Sequence, residues 1–185
     1  MLTVSAALRP FLAACLIALL TIASGTAFGV AFGAFEESLK SGLQRSADDV
    51  LQQAYGGDVG KVKPVLDKAW TYYKRAHLHT GALGTQALVL TLLLAALSSV
   101  PLRLRQGAAL AASLGGLGYG WFWFLAGRAA PALGGTSAAK EVWALLAQGS
   151  TALMVAGLLG AIVGVVWAWR APTETPQRDG VVPVA

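Results

Sequence analysis

The sequence predicts an all-α integral membrane protein, a bundle of four transmembrane helices with an amphipathic extramembrane helix between the first and second spans. Three observations carry this. Hydrophobic side chains make up 56% of the 185 residues and charged ones only 12%, whereas about a quarter of a soluble domain is charged. Four apolar runs, at about residues 11–35, 81–100, 107–127 and 142–169, are each long enough to cross roughly 30 Å of hydrocarbon as a helix. The remaining polarity is concentrated, because residues 36–76 hold six of the nine acids and seven of the fourteen bases.

The formal charge of +5 does not point to nucleic acid. The basic residues are scattered between apolar blocks and form no continuous face, and positive residues beside apolar spans are what membrane insertion itself demands.

Arg9-Pro10 opens the first span, an uncharged run from Phe11 to Phe35. A cleaved signal peptide is the rival reading, since Arg9, a Leu-rich core and Gly25-Thr26-Ala27 mimic its three regions. The run continues well past that point, which favours a retained helix. Cys15 lies inside it as the single cysteine, so no intrachain disulfide or cysteine metal cluster can form, and it reads as a small packing residue.

Leu39, Leu43, Ala47, Val50, Leu51 and Ala54 recur at helical spacing, predicting an amphipathic helix over about 35–54 that lies on the membrane. Tyr55-Gly56-Gly57-Asp58 should end it in a turn. Pro64 suits the first turn of a new helix, with Val65, Leu66, Ala69, Trp70 and Tyr73 as its apolar stripe, running unbroken into the second span. Pro101 to Gln106 is short enough to force an antiparallel return.

The third span carries a glycine-rich first half and the aromatic block Tyr119 to Phe124, which reads as an interfacial belt. Arg128 to Glu141 connects it to the fourth span. The tail over 171–185, with three prolines and no apolar period, should be disordered.

Small residues recur four apart in three spans: Gly25, Gly29 and Gly33; Ala108, Ala112, Gly116 and Gly120; Ala152, Ala156, Gly160 and Gly164. Such ladders let backbones approach closely in lipid, where hydrophobic burial does not drive association. They predict a compact bundle within the bilayer, and equally faces for a homo-oligomer or for other membrane subunits. Arg9, Arg103, Arg105 and Arg170 fall at one end of a four-span arrangement, predicting a cell-membrane protein of the bacterial inner-membrane type with both termini in the cytoplasm. The opposite side carries nine bases, but seven of them lie in the nearly charge-balanced segment 36–76.

That opposite end collects the candidate chemistry. Glu36 and Glu37 end the first span, His77 and His79 start the second, Tyr119 and Arg128 lie near the end of the third, and Glu141 and Gln148 start the fourth. Imidazole is a common ligand for transition metals and haem iron. His77 and His79, with Glu36, Glu37 and Glu141, are therefore the candidate metal ligands, for haem b or a transition metal. Tyr73, Gln86, Gln148 and Arg128 complete a candidate cofactor-binding set. Two residues apart, the histidines diverge by about 200° on a helix, so His77, in line with Trp70, Tyr73, Gly81 and Gly84, is the inward one and His79 faces the interface. Gln86 and Gln148, uncharged polar residues within spans, should face the bundle.

Arg75-Ala76-His77 at the start of a second span resembles the Arg-Ala-His segment of the microsomal glutathione transferase group, which would imply an enzyme acting on a lipophilic substrate. That family's pattern continues with Asn and Glu where this chain has His79 and Ala82. The stretch Arg75 to His79, with Gly81 following, also resembles histidine-bearing helix starts in membrane haem proteins of the haem-copper oxidase kind. No phosphate loop, nucleophile elbow, zinc-protease helix or dinucleotide fingerprint is present. The reading that results is a non-catalytic binding or accessory subunit of a membrane complex with a polar site around His77. The alternatives are a haem or metal redox protein and a membrane enzyme.

Overall fold

A computed structural model describes residues 4–171; the rest of the predicted disordered tail lies outside them. Among the described residues the chain is helical with no strand. The order is α1 (Val4–Leu8), α2 (Leu12–Ala34), α3 (Glu36–Asp48), α4 (Leu51–Tyr55), α5 (Val62–Ala96), α6 (Leu102–Ala129), α7 (Thr136–Val142) and α8 (Ala144–Arg170). Four stretches are long and apolar enough to cross a membrane: Ala6–Ala34, Val59–Ala96, Leu102–Ala129 and Ala144–Arg170. The chain is a multi-pass, all-α membrane bundle.

Helix α5 is the axis of the molecule. Its 35 residues extend about 52 Å at 1.5 Å per residue, well beyond the hydrocarbon thickness, so its first half projects from the membrane. Pro64 sits in its first turn, as the sequence predicts, and no break separates the projecting half from the span. Helices α2 and α3 run antiparallel beside it as one kinked rod. Around the kink at Phe35 the helical bonds persist, from Phe35 N to Ala31 O and from Leu39 N to Phe35 O, both 2.9 Å. The pairing keeps a steady register: Phe11 packs with Leu94 and Ala95, Gly25 meets Gly81, Gly29 meets His77, and Phe32 stacks on Tyr73.

The extramembrane region therefore does not lie flat on the bilayer. Leu43 and Ala47 of α3 are buried against α5, because a helix leaving the membrane beside a projecting α5 finds an apolar stripe already there. The predicted single helix over 35–54 is broken at Asp49–Val50 into α3 and α4, and Ala54 is exposed. Gly56 and Gly57 then take φ of 63° and 77°, the left-handed conformation glycine adopts without penalty, and reverse the chain into α5. Tyr55, buried beneath this turn, donates its hydroxyl proton to the Pro131 carbonyl oxygen at 2.8 Å. That bond ties the segment between α2 and α5 to the one between α6 and α7, and with α3, α4 and α7 it forms a helical cap at one end.

At the other end Arg105 donates from Nη1 to the carbonyl oxygens of Leu94 and Ala95, at 3.1 and 3.2 Å. It caps the last turn of α5, where carbonyls lack helical partners and a cation is favoured.

Within the bilayer α6 packs against α5, α2 and α8. The ladder Ala108, Ala112, Gly116 and Gly120 is buried throughout, as the sequence predicts. The fourth-span ladder is half corrected: Gly160 and Gly164 do face α6 and α5, but Ala152 and Ala156 are exposed, and α8 adds Ser150, Gly157 and Ala161 to its seated face. A Cβ on Gly157 would lie 2.7 Å from Ala112 Cα and 2.8 Å from Ala108 O, so the two backbones touch there. Helix α8 is peripheral. Only 17% of its most apolar stretch is buried, against 33% to 44% for the other three spans. Gly33, the outermost member of the first ladder, faces open space.

Candidate functional site

The histidine end is built where α5 passes between α2 and α6. Because the two imidazoles diverge around α5, they meet different neighbours. His77 turns to α2, where its Nδ1 lies 2.8 Å from Gly25 O. A carbonyl can only accept, so Nδ1 carries the proton and, in the neutral ring, Nε2 is left with its lone pair. Space for the ring comes from Gly29, where a Cβ would stand 2.7 Å from His77 Cε1. His77 is the inward-facing residue the sequence predicts.

His79 is half-buried. It turns to α6 and lies edge-on to Tyr119 at 5.3 Å between ring centroids, with Trp123 stacked at 6.2 Å. The Arg75 guanidinium covers the other part of this cluster, 4.7 Å from the Trp123 ring centre, a cation over an aromatic face. Below His77 sits a second aromatic group. Tyr73 is stacked between Phe32 at 5.3 Å and Phe124 at 5.1 Å, and Phe28 lies 4.9 Å from Phe124. The aromatic block of the third span thus joins α2, α5 and α6, with Phe122 buried, Tyr119, Trp123 and Phe124 half-buried and Trp121 exposed. Aromatic rings gain from such offset and edge contacts beyond the area they bury.

The carboxylates do not join the histidines. Glu36 is paired with Lys40 one turn on, at 2.5 Å, while Glu37 and Glu141 are exposed on the cap. Among the described residues no group of three or more His, Cys, Asp or Glu side chains is placed to hold a metal ion. Arg128 is exposed. Gln86 and Gln148 are exposed too, on outward faces of α5 and α8, so the expectation that they turn into the bundle is corrected. The structure therefore brings together His77 with Tyr73 on one side of α5 and His79 with Tyr119 on the other, and leaves the remaining candidates apart.

No family model, no curated protein and no solved structure matches this chain.

Sequence reasoning named Gly29 only as a ladder residue and Trp123 only within the aromatic block of the third span. It did not single out Gly29 as the partner of His77, or Trp123 and Trp143 as two indoles of one cluster. The last two have indole N–H groups that are buried without an acceptor, and both join the Tyr72, Phe122 and Ala126 cluster. Buried hydroxyls on the spans are mostly satisfied within their own helix, Thr80 donating to Ala76 O at 2.6 Å and Thr91 to Ala87 O at 2.7 Å, the usual recourse of a hydroxyl in a helix. Above the membrane, the cap holds an open groove between α3 and α5. It measures 750 Å³ and is lined by Val62, Leu66 and Trp70 together with Lys40, Lys63, Asp67 and Lys74.

Proposed function

We propose that the chain is a non-catalytic binding or accessory subunit of a membrane complex, seated in a bacterial-type inner membrane with both termini in the cytoplasm. The partner-binding surface is the cap on the other side. The observation that carries this reading is the α3–α5 groove, whose apolar floor and charged rim are the composition of a protein contact. Two facts accompany it: each imidazole is engaged in packing α5 against a neighbour, and the candidate carboxylates stay on the surface. The arginines at the far end, in short segments beside helix ends, support the orientation. A photo-cross-linking residue at Gln44 or Thr71, in native membranes, should give one discrete protein adduct that Trp70→Ala abolishes. Irradiation that yields no protein adduct from either position would end the accessory reading.

A second reading, in which His77 ligates haem iron or a transition metal, is favoured by one observation. Donation from Nδ1 to a carbonyl is how metal-ligating histidines are commonly oriented, leaving Nε2 for the metal. The residues fit only a single protein ligand, so any further ligand comes from outside the described residues or from another chain. The ultraviolet-visible spectrum and metal content of protein purified in mild detergent test it, with His77→Ala alongside. A Soret band or stoichiometric metal lost in the variant supports ligation; a colourless, metal-free wild type refutes it.

A further inference from the structure

At the end opposite the cap, α8 leaves α5 except near Gly164, which lies 3.4 Å from Leu94 and 3.6 Å from Leu97 through its Cβ position. Two hollows open on either side of this contact. The smaller is wholly apolar, 210 Å³ between Leu90 and Leu93 of α5 and Leu158, Ala161, Ile162, Val165 and Val166 of α8. The larger one, 820 Å³, runs from Ile162 and Val166 to Trp167, Arg170 and Ser99. Ile162 and Val166 border both hollows, and since each lies two residues from Gly164 they stand on the opposite face of α8, where the hollows meet. Leu158, Ile162, Val166 and Arg170 stand four apart on α8, so they form one stripe about 18 Å long, slightly more than the half-thickness of a bilayer core. The stripe is apolar for its length and ends on a guanidinium.

Among the described residues, charge at this end is of one sign. Arg9, Arg103, Arg105 and Arg170 are here, no Asp or Glu of the described residues is, and none of the four is in an ion pair among those residues. Arg105 is committed to the α5 carbonyls, whereas Arg170 is exposed and lines the larger hollow together with Ser99. A ligand for this shape needs a single apolar chain one leaflet deep and an anionic head with several acceptor oxygens, and guanidinium is well suited to phosphate.

We propose that the outer face of α8, where these two hollows meet, is a binding site for one anionic glycerophospholipid, an acyl chain along Leu158, Ile162 and Val166 and the phosphate on Arg170 and Ser99. The site is independent of the cap and of its role.

Native mass spectrometry of the detergent-purified full chain tests this with phosphatidylglycerol and phosphatidylcholine of identical acyl chains. The expected result is a one-to-one phosphatidylglycerol adduct retained at least five-fold over phosphatidylcholine. Arg170→Gln and Val166→Trp should each cut that adduct at least five-fold, whereas Leu153→Trp, which adds similar bulk elsewhere on the exposed part of α8, should leave it unchanged. Arg170→Gln alters an exposed helix end, so unchanged gel filtration should accompany its loss of lipid. Equal retention of the two lipids, an adduct indifferent to Arg170→Gln, or competition by inorganic phosphate alone would overturn the proposal. A lipid-free dimer broken by Val166→Trp would overturn it too, by making the occupant a second copy of the chain.

Discussion

Gly29 and His77 are a matched pair, one residue lacking a side chain so that the other's ring can reach a backbone carbonyl. Gly29→Ala would put a methyl carbon 2.7 Å from the imidazole, and an overpacked contact of this kind costs about 1–3 kcal/mol. The expected outcome is a lower unfolding temperature in detergent for Gly29→Ala and almost no further effect of that change in a His77→Ala background. Additive losses in the double variant would mean that the two do not share a contact. Tyr55 makes a similar case in the cap. Burial holds its hydroxyl pKa above the usual 10.0, so the neutral donor form is favoured in the folded state. That contribution is present below about pH 10 and is lost as pH rises through the folded value. Tyr55→Phe should cost about 1 kcal/mol at neutral pH, and the gap between variant and wild type, read from proteolysis of the cap, should close in strongly alkaline buffer.

Among the elements, α8 separates two explanations of its small residues. Gly157 touches the α6 backbone and Ala156, one residue earlier, is exposed. Gly157→Leu is therefore expected to push α8 from α6 and broaden elution in gel filtration, while Ala156→Leu should change stability by less than about 0.5 kcal/mol. The reverse result would restore the face centred on Ala152 and Ala156. Hydropathy made the four spans legible, and turn chemistry made Tyr55 to Asp58 and the start of α5 legible, because both signals act locally. The seated face of α8 was only half legible. Lipid and a neighbouring helix are equally apolar, so an almost uniformly apolar helix has no polar side to mark its outside. For α3 the amphipathic signal was real, but an apolar stripe packs equally on a membrane or on another helix. At the site, the divergence of His77 and His79 followed from helix geometry alone, whereas the presence of α6 on the far side of α5 depends on packing among segments distant in sequence.

For the whole molecule, the cap and the arginine end define two sides. With Cys15 replaced by serine, cysteines introduced at Gln53 and Lys140 should react with an impermeant thiol reagent from the same side of sealed vesicles, and one at Arg103 from the other. Labelling of Gln53 and Lys140 from opposite sides would contradict the Tyr55–Pro131 bond that joins their segments. The two ends also divide the proposed roles, with protein contact at the cap and lipid at the arginines, and α5 reaches both as one continuous helix.

The peripheral seat of α8 bears on how the protein is made. Its contacts are a strip of small residues on α6, the Tyr72 and Phe122 cluster at its start and the end of α5, so the antiparallel α2–α5 pair and α6 can settle into register while α8 is still emerging from the ribosome. Since its outward side is already lipid-compatible, α8 can wait in the bilayer without exposing anything that needs water, and docking it is a late lateral step that leaves the earlier packing intact.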